Sequence, residues 1–419
     1  MARNLKTKLK FKPIDLTYIV TLMAVLTAYV YLAYSVATLR GDDGLPNGPG
    51  YISDEVWYVT SARNLLHDVF KTPASSPYFT TTRNCTVDAT VVKAYRELNN
   101  IVTVEGTVAC YLRRGFPYPD KTGILEYYNF EHPPLTKYVI AAMQTVRDEP
   151  IYWRIPSILL GAGILILVFL TARKLVGSSW ALVATAAMLF DGTFRAMSGI
   201  AMPDIYLGFF TALLVYSYVV LRSGLAISIA LGLAASVKYS GAFPIFGLTY
   251  LYARRPLWKF LLLLAVAGFI FLAIYSPFIA KMGLYEWMKM LFNSFMWHTT
   301  SRPEGPIASS PLDWLFMRNS FVLHVDPYVY ASGTPVYLLA LIYALYKRDE
   351  ISVLYISTYG GYWIVYALGN YTLYSFYTVH FSPIAHILLA QFLASAVKAK
   401  KEDVKRWIER VKRLDAYLR

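Results

Sequence analysis

The chain has 419 residues, of which 56% are hydrophobic and 16% are charged, whereas soluble domains are about 45–50% apolar and about 25% charged. A soluble protein of this composition would lack the polar surface to cover its apolar residues. The composition therefore excludes a cytosolic enzyme, a secreted scaffold and a disordered chain, and it predicts an all-α protein with many membrane spans. The net charge of +14 is concentrated between the apolar runs, as the positive-inside rule describes, and gives no reason to expect nucleic acid as a partner.

The apolar runs predict ten spans. The first follows a basic N-terminal segment and is too long for the apolar part of a signal peptide, so we expect it to stay in the chain. The predicted spans are residues 16–39, 151–171, 179–194, 203–221, 225–237, 240–252, 257–279, 328–346, 351–368 and 373–396. Two of them, 225–237 and 240–252, are shorter than the roughly 20 residues that a span needs, so kinked helices or a thin membrane are required there.

Two topologies fit these runs. In the first, residues 132–146 lie on the outer surface, and Arg173, Lys174 and Arg222 face the cytoplasm together with both ends of the chain. In the second, 132–146 cross the membrane and 225–252 form one span, which places those three basic residues outside. We favour the first topology because it follows the positive-inside rule.

The favoured topology divides the chain into parts with different expected roles. They are a seven-span module (1–279) whose extracytoplasmic loop (40–150) contains an insert (71–127), an extracytoplasmic loop (280–327), variable C-terminal spans (328–396) and a cytoplasmic tail (397–419). In the tail, apolar residues recur at helical spacing between Lys and Arg, which predicts an amphipathic helix on the inner surface.

The insert contains the two cysteines of the chain. Residues 101–110 alternate around Glu105 and Gly106 as in a β-hairpin. Because the insert is expected on the oxidising side of the membrane, we expect a disulfide between Cys85 and Cys110, which would stabilise the insert by about 3 kcal/mol. Two unpaired thiols are the alternative, since spacing does not determine pairing.

Two adjacent carboxylates, Asp54 and Glu55, follow the first span. A partly desolvated carboxylate has a raised pKa and is a better general base, so one acid could act as a base and the other could orient a ligand. The alternative is structural: Ser53 or Asp54 could cap a helix that continues through Leu66, with acids favoured in its first turn.

A second motif runs from Glu131 and His132 through a double proline to Lys137. The prolines break the chain and start a helix. Lys137 would then lie at headgroup depth, either as an interfacial anchor or as a cation that binds a lipid phosphate.

Three more charges lie at the predicted outer ends of spans: Arg154, Asp204 and Lys238. Charges at such depths are costly, so they are usually paired or functional. Arg154 could instead snorkel, and Lys238 could simply belong to a turn. Together these charges would suit a lipid-linked phosphate with a reactive group beside it.

Other polar and aromatic residues of the outer face are weaker candidates. His298, Arg302, Tyr377 and His380 could line a sugar or prenyl site, although tyrosines and tryptophans also form the aromatic belt of membrane proteins. The sequence has no Walker loop, no dinucleotide-binding glycine motif, no HExxH and no cysteine pairs with zinc spacing, so nucleotide-driven chemistry and zinc hydrolysis have no support.

The order of these motifs resembles that of the dolichyl-phosphate-mannose protein O-mannosyltransferases and, more broadly, of membrane glycosyltransferases with the C-type fold. The resemblance covers nearly the whole chain apart from 71–127 and the tail, and its most specific elements are Asp54-Glu55 and His132-Pro133-Pro134-Leu135. The chain departs from the family pattern where Glu131 replaces an Asp, Thr136 replaces a Gly, and Gly199 follows Ser198 in place of an Arg; the large lumenal β-trefoil of eukaryotic members is also missing.

The resemblance implies a C-type fold with about ten transmembrane helices and a small extracytoplasmic insert. It also implies an enzyme that transfers a sugar, with mannose favoured, from a polyprenyl- or dolichyl-phosphate donor to an acceptor hydroxyl, with protein Ser/Thr favoured. Asp54 corresponds to the family's base, and Glu55 to the residue that helps to place the acceptor.

We expect a single inverting displacement, because the leaving phosphodiester is already ionised and needs charge stabilisation more than an acid. Lys137, Arg154 and Lys238 are the candidates to supply it.

Beyond the lipid-linked donor no cofactor is certain; a divalent metal is conceivable if Asp54 or Glu55 meets Asp204, although adjacent acids are poor support for one. We expect an integral protein of a prokaryotic plasma membrane, with an archaeal source favoured, in contact with membrane lipids and with its site outside.

Three alternatives differ in class or in acceptor. Within the enzyme class, the acceptor could be a lipid or a glycan. A transporter would require paired charges at mid-membrane and similar halves, but the candidate charges lie on one face and no inverted repeat is visible. For a structural membrane subunit, the clustering of these charges would be a coincidence.

Overall fold

Helices make up nearly all the regular structure of the computed structural model, which describes residues 15–39, 51–72, 127–300 and 307–418 and, as backbone, 83–85, 101–104 and 107–110. The helices are α1 (Leu16–Ala37), α2 (Glu55–Asp68), α3 (Leu135–Val146), α4 (Pro150–Val176), α5 (Ser178–Ala187), α6 (Gly192–Ser198), α7 (Pro203–Tyr216), α8 (Gly224–Val237), α9 (Pro244–Tyr252), α10 (Leu257–Met282), α11 (Leu284–Thr299), α12 (Pro311–Leu315), α13 (Val336–Lys347), α14 (Glu350–Ala367) and α15 (Ser382–Leu418). A π-helical turn (Ser217–Leu221) extends α7, and short 3-10 helices cover Met188–Phe190, Tyr239–Ala242 and Ser375–His380.

The helical membrane architecture predicted from the composition is confirmed. In the described part of the chain, five helices are long and apolar enough to cross a bilayer: Leu16–Ala37, Pro150–Val176, Pro203–Leu221, Leu257–Met282 and Ser382–Lys400. Three shorter apolar helices accompany them: Ser178–Phe190, Gly224–Val237 and Val336–Lys347. The total of ten spans stays a prediction.

Two boundaries differ from the sequence-based expectation. The run expected to start a span at 328 first forms a hairpin of β4 (Phe321–Val325) and β5 (Tyr328–Ala331), and the helix begins only at Val336. The tail expected as a separate helix continues α15 without a break to Leu418. Both differences arise because a short strand or a helix continuation has no sequence signal of its own beside long apolar runs.

The predicted hairpin of the insert is confirmed at the level of the backbone. Strands β2 (Ile101–Val104) and β3 (Thr107–Cys110) pair antiparallel, and β1 (Arg83–Cys85) lies on the other side of β3. Cys85 lies opposite Val108 and Cys110 opposite Arg83, so the cysteines are on neighbouring strands. Their side chains are outside the description, and the disulfide stays a prediction.

The helix ends that carry the conspicuous charges are held by close backbone contacts. The helix α7 begins with Pro203 at its first position, where a missing N–H costs nothing. The turn after α8 packs so tightly that a Cβ on Gly241 would lie 2.2 Å from the Ala234 carbonyl oxygen. This contact fixes the turn containing Lys238, which lies next to Tyr239–Ala242.

Candidate active site

A cavity of about 410 Å³ lies where α2, the loop before α3, the turn after α8 and the end of α11 converge. Its walls are largely aromatic, and its charged and imidazole groups are few. Of the residues predicted for the site, those that line it are Asp54, His132, Lys238, His298 and Tyr377. The structure thus brings together residues that are up to 323 positions apart in the sequence.

Asp54 occupies the N-cap position of α2, but its side chain makes no capping hydrogen bond. No donor in the described part of the chain binds its carboxylate, which instead faces the cavity. Burial raises the pKa of the Asp54 carboxyl to about 6, with Lys238 opposing the rise and Asp204 adding to it. Asp54 is thus at the predicted cap position of the helix, but its side chain does not cap the helix and its carboxylate is left for the cavity.

Glu55, its neighbour, is completely buried and does not line the cavity. Its carboxylate forms a bidentate ion pair with Arg154, with Nε to Oε1 at 2.7 Å and Nη2 to Oε2 at 2.6 Å. The same oxygens accept the backbone N–H groups of Ala201 (2.7 Å) and Ile52 (2.8 Å).

Arg154 uses its remaining donors inside the protein, because its Nη1 binds the carbonyl oxygens of Ala37 at 2.9 Å and Leu39 at 2.8 Å. With both partners buried and engaged, these contacts correct two expectations: Glu55 does not face an acceptor, and Arg154 does not face a donor phosphate. The pair joins α1, α2, α4 and the segment before α7.

Lys137 is also engaged with the backbone. Its Nζ donates to the carbonyl oxygens of Tyr128 (2.9 Å), Asn129 (2.6 Å) and His132 (2.8 Å). Burial lowers the pKa of this ammonium to about 7. Because an ammonium has three hydrogens, the expected phosphate contact is replaced by a structural one, in which Lys137 holds the loop that forms one wall of the cavity.

Of the three cations predicted to bind the donor phosphate, Lys238 is the one that lines the cavity, and it is buried. Its Nζ lies 2.8 Å from Oδ1 of Asp204 and 4.1 Å from the centre of the Tyr377 ring. Asp204 does not line the cavity, and its Oδ2 has no hydrogen-bond partner among the described residues. The arrangement leaves donor capacity on the Lys238 ammonium for an anion in the cavity.

A stack of rings forms another wall. The His132 ring lies 5.8 Å from that of Tyr58 and 5.3 Å from that of His298, measured between centroids. His298 donates through Nε2 to the Glu131 carbonyl oxygen at 2.7 Å. Glu131 itself lines the cavity, and its buried Oε2 has no hydrogen-bond partner in the described part of the chain.

Glu131 was missing from the residues predicted for the site. The available signal was its place directly before His132, in the motif where it stands in place of the family's Asp. Of the other predicted residues, His380 lies behind the wall, 3.0 Å from the hydroxyl of the lining residue Tyr362, and Arg302 is outside the described residues.

Two of the three acids considered for a divalent metal are paired with cations. Glu55 binds Arg154, Asp204 binds Lys238, and Asp54 faces the cavity. Within the described ranges no group of three or more His, Cys, Asp or Glu side chains is close enough to hold an ion. The side chains therefore offer no ready metal site there.

The fold is similar to that of ArnT in two solved structures. ArnT from Cupriavidus metallidurans bound to undecaprenyl phosphate matches with a TM-score of 0.55 and 16% identity over 91% of this chain and 60% of ArnT. Its apo form matches with a TM-score of 0.53 and 15% identity over 90% and 59%. The chain therefore spans about 60% of the length of ArnT.

The Saccharomyces cerevisiae Pmt1–Pmt2 complex bound to the sugar donor matches with a TM-score of 0.38 and 18% identity over 72% of this chain and 36% of that chain, a score too low to carry an argument. No curated protein sequence matches this chain. Residues 125–280, however, match the family model described as dolichyl-phosphate-mannose-protein mannosyltransferase. The match confirms the resemblance seen in the motifs, and the matched range includes His132, Lys238 and the buried Arg154.

Proposed function

We propose that this protein is a membrane glycosyltransferase that moves a sugar from a polyprenyl-phosphate donor to an acceptor hydroxyl. The observation that carries the proposal is the cavity shared by Asp54, a carboxylate without a hydrogen-bond partner among the described residues, and Lys238, a buried ammonium. A base and a cation on one cavity are what this displacement requires. The family domain and the C-type fold support the same reading.

In the proposed reaction, Asp54 removes the proton of the acceptor hydroxyl while the oxygen of that hydroxyl attacks the anomeric carbon. The bond between that carbon and the phosphate oxygen breaks, and the phosphate keeps the electron pair. Lys238 stabilises the charge that develops on the leaving phosphate. One displacement inverts the anomeric centre.

The aromatic walls suit a sugar, because tyrosine and tryptophan rings combine an apolar face with a polar edge. Trp57, Tyr58 and Trp297 are among the lining rings. We propose mannose as the sugar and protein Ser/Thr as the acceptor, with a lipid or glycan acceptor as the second candidate. We also propose that the cavity opens on the extracytoplasmic side, since Arg173, Lys174 and Arg222 lie at the opposite ends of the helices.

The decisive experiment is a transfer assay with the purified protein. Polyprenyl-phosphate mannose or glucose is incubated with a Ser/Thr peptide and, separately, with a lipid or glycan acceptor, and the product mass is measured. A gain of one hexose on the peptide would support the favoured acceptor, and a gain on the lipid or glycan would support the second. No transfer to any acceptor, with the donor intact and bound, would contradict the proposal.

We expect the transfer rate to fall at acid pH. The base must be deprotonated, so activity should be complete above the pKa of about 6 of Asp54 and fall about tenfold per unit below it. An ordinary, exposed Asp would retain full activity down to about pH 4. The measurement is the pH dependence of kcat/KM, which reports the ionisations of the free enzyme. A flat profile between pH 4.5 and 7 would exclude Asp54 as the base.

A further inference from the structure

A second cavity, of about 370 Å³, lies at the other end of the helices that form the candidate active site. The stretch Pro203–Leu221 has 19 residues and is therefore about 28 Å long. Asp204 lies at its active-site end and Arg222 follows its far end. The charged and amide residues of the second cavity are Arg222, Arg255, Asp349, Glu350 and Gln391, and the tyrosines Tyr218 and Tyr252 also line it.

The two arginines of this cavity have no acidic partner within the described ranges. Neither Arg222 nor Arg255 forms an ion pair there, and the guanidinium of Arg255 lies 4.5 Å from the centre of the Tyr252 ring. Two guanidinium groups on one cavity are typical of sites for phosphate, because the planar fork of donors matches its oxygens.

Other residues that line this cavity offer acceptors. Gln391 is 9% exposed, and its Nε2 donates to Oδ2 of Asp349 at 3.1 Å. Its buried Oε1 has no hydrogen-bond partner in the described part of the chain. Leaving a buried acceptor unsatisfied costs about 1–3 kcal/mol, so a ligand that brings a donor would stabilise this wall.

We propose that this cavity binds the headgroup of a membrane phospholipid that carries both a phosphate and a hydrogen-bond donor, such as an ammonium or a hydroxyl. Arg222 and Arg255 bind the phosphate, and the donor faces Gln391, Asp349 and Glu350. Charge complementarity favours this ligand, since cations and acids line one cavity without pairing with each other. The cavity lies where membrane-spanning helices end, which is the depth of the headgroups.

The test uses the purified, delipidated full chain and measures lipid binding by native mass spectrometry and by thermal shift. The probes are phosphatidylethanolamine, phosphatidylglycerol, phosphatidylcholine, whose headgroup lacks a hydrogen-bond donor, and water-soluble glycerophosphoethanolamine. We expect the first two lipids to bind about tenfold more tightly than phosphatidylcholine. The double variant R222Q/R255Q should bind about tenfold or more weakly.

Arg254→Gln is the matched control, because Arg254 neighbours Arg255 but does not line the cavity. The Arg254→Gln variant should bind the lipids as tightly as the wild type does. Gln391→Leu should reduce the preference for phosphatidylethanolamine over phosphatidylcholine, because it removes one of the three acceptors that face the donor, and it tests the site even where the double variant does not fold. Equal lipid binding by R222Q/R255Q and the wild type would overturn the site. If glycerophosphoethanolamine binds as tightly as phosphatidylethanolamine, the ligand is not a membrane lipid, and the cavity is assigned to a soluble phosphate compound. None of these measurements uses the transfer reaction, so their failure is distinct from failure of the proposed function.

Discussion

Replacing Asp54 by Asn should lower the rate of sugar transfer by about 10²–10⁴-fold, the usual contribution of a general base. The amide keeps the shape of the side chain and removes its capacity to take a proton. Donor binding should survive, because the carboxylate does not bind the phosphate in the proposed reaction. Transfer is measured by product mass, and donor affinity by titration of the purified variant.

The fold of this variant is checked by its melting temperature. The pKa of Asp54 is raised from its ordinary value to about 6, so its contribution to stability is greatest at low pH and is lost as the pH rises through 4 to 6. Removing the charge should therefore not destabilise the protein at pH 7. The free energy of unfolding should rise by at most about 3 kcal/mol, since one pKa unit equals about 1.4 kcal/mol.

The neighbouring carboxylate supplies a control with the opposite outcome. Glu55→Gln breaks a buried ion pair, which costs about 3–5 kcal/mol, so it should lower the melting temperature. Full transfer by the Asp54 variant would rule out the assignment of the base.

Replacing Lys238 by Met should both slow transfer and destabilise the protein. Loss of one donor to a developing anion costs about 10²–10³-fold in rate. The same change leaves Asp204 buried without its partner, at about 3–5 kcal/mol. Transfer at saturating donor and the unfolding midpoint in denaturant measure the two effects separately.

The double variant K238M/D204N separates the two roles of the lysine. It removes both buried charges, so most of the stability should return, because loss of a whole buried pair is often nearly neutral. The transfer rate should stay low, since the cation that faces the leaving phosphate is still absent. A stable double variant with the wild-type rate would show that Lys238 serves the fold alone.

The sequence carried enough information to predict the helical membrane fold and to select Asp54 and Lys238, which the structure places on one cavity. Long apolar runs and their basic flanks follow directly from the bilayer's thickness and polarity. The sequence could not show which of two adjacent carboxylates faces the cavity, because successive residues on a helix point about 100° apart and the direction is set by tertiary contacts.

The lysines show the same limit. Lys137 and Lys238 each lie near the end of an apolar run, but only the folded chain shows that three carbonyl oxygens surround the first and that the second reaches the cavity. The hairpin at Phe321–Ala331 was missed because strands of four or five residues leave too short a pattern to separate from a loop.

The clamp between Glu55 and Arg154 has a consequence for the residue beside it. Asp54 is joined by one peptide bond to Glu55, whose side chain makes four hydrogen bonds, two to Arg154 and one each to the backbone of Ala201 and Ile52. In the proposed reaction, an incoming hydroxyl would therefore meet a carboxylate next to a residue held in place by these hydrogen bonds, so little conformational entropy would be lost when the reacting atoms come together. Two consecutive acids would thus serve one reaction, in which Asp54 takes the proposed proton and Glu55 holds the backbone beside it in place.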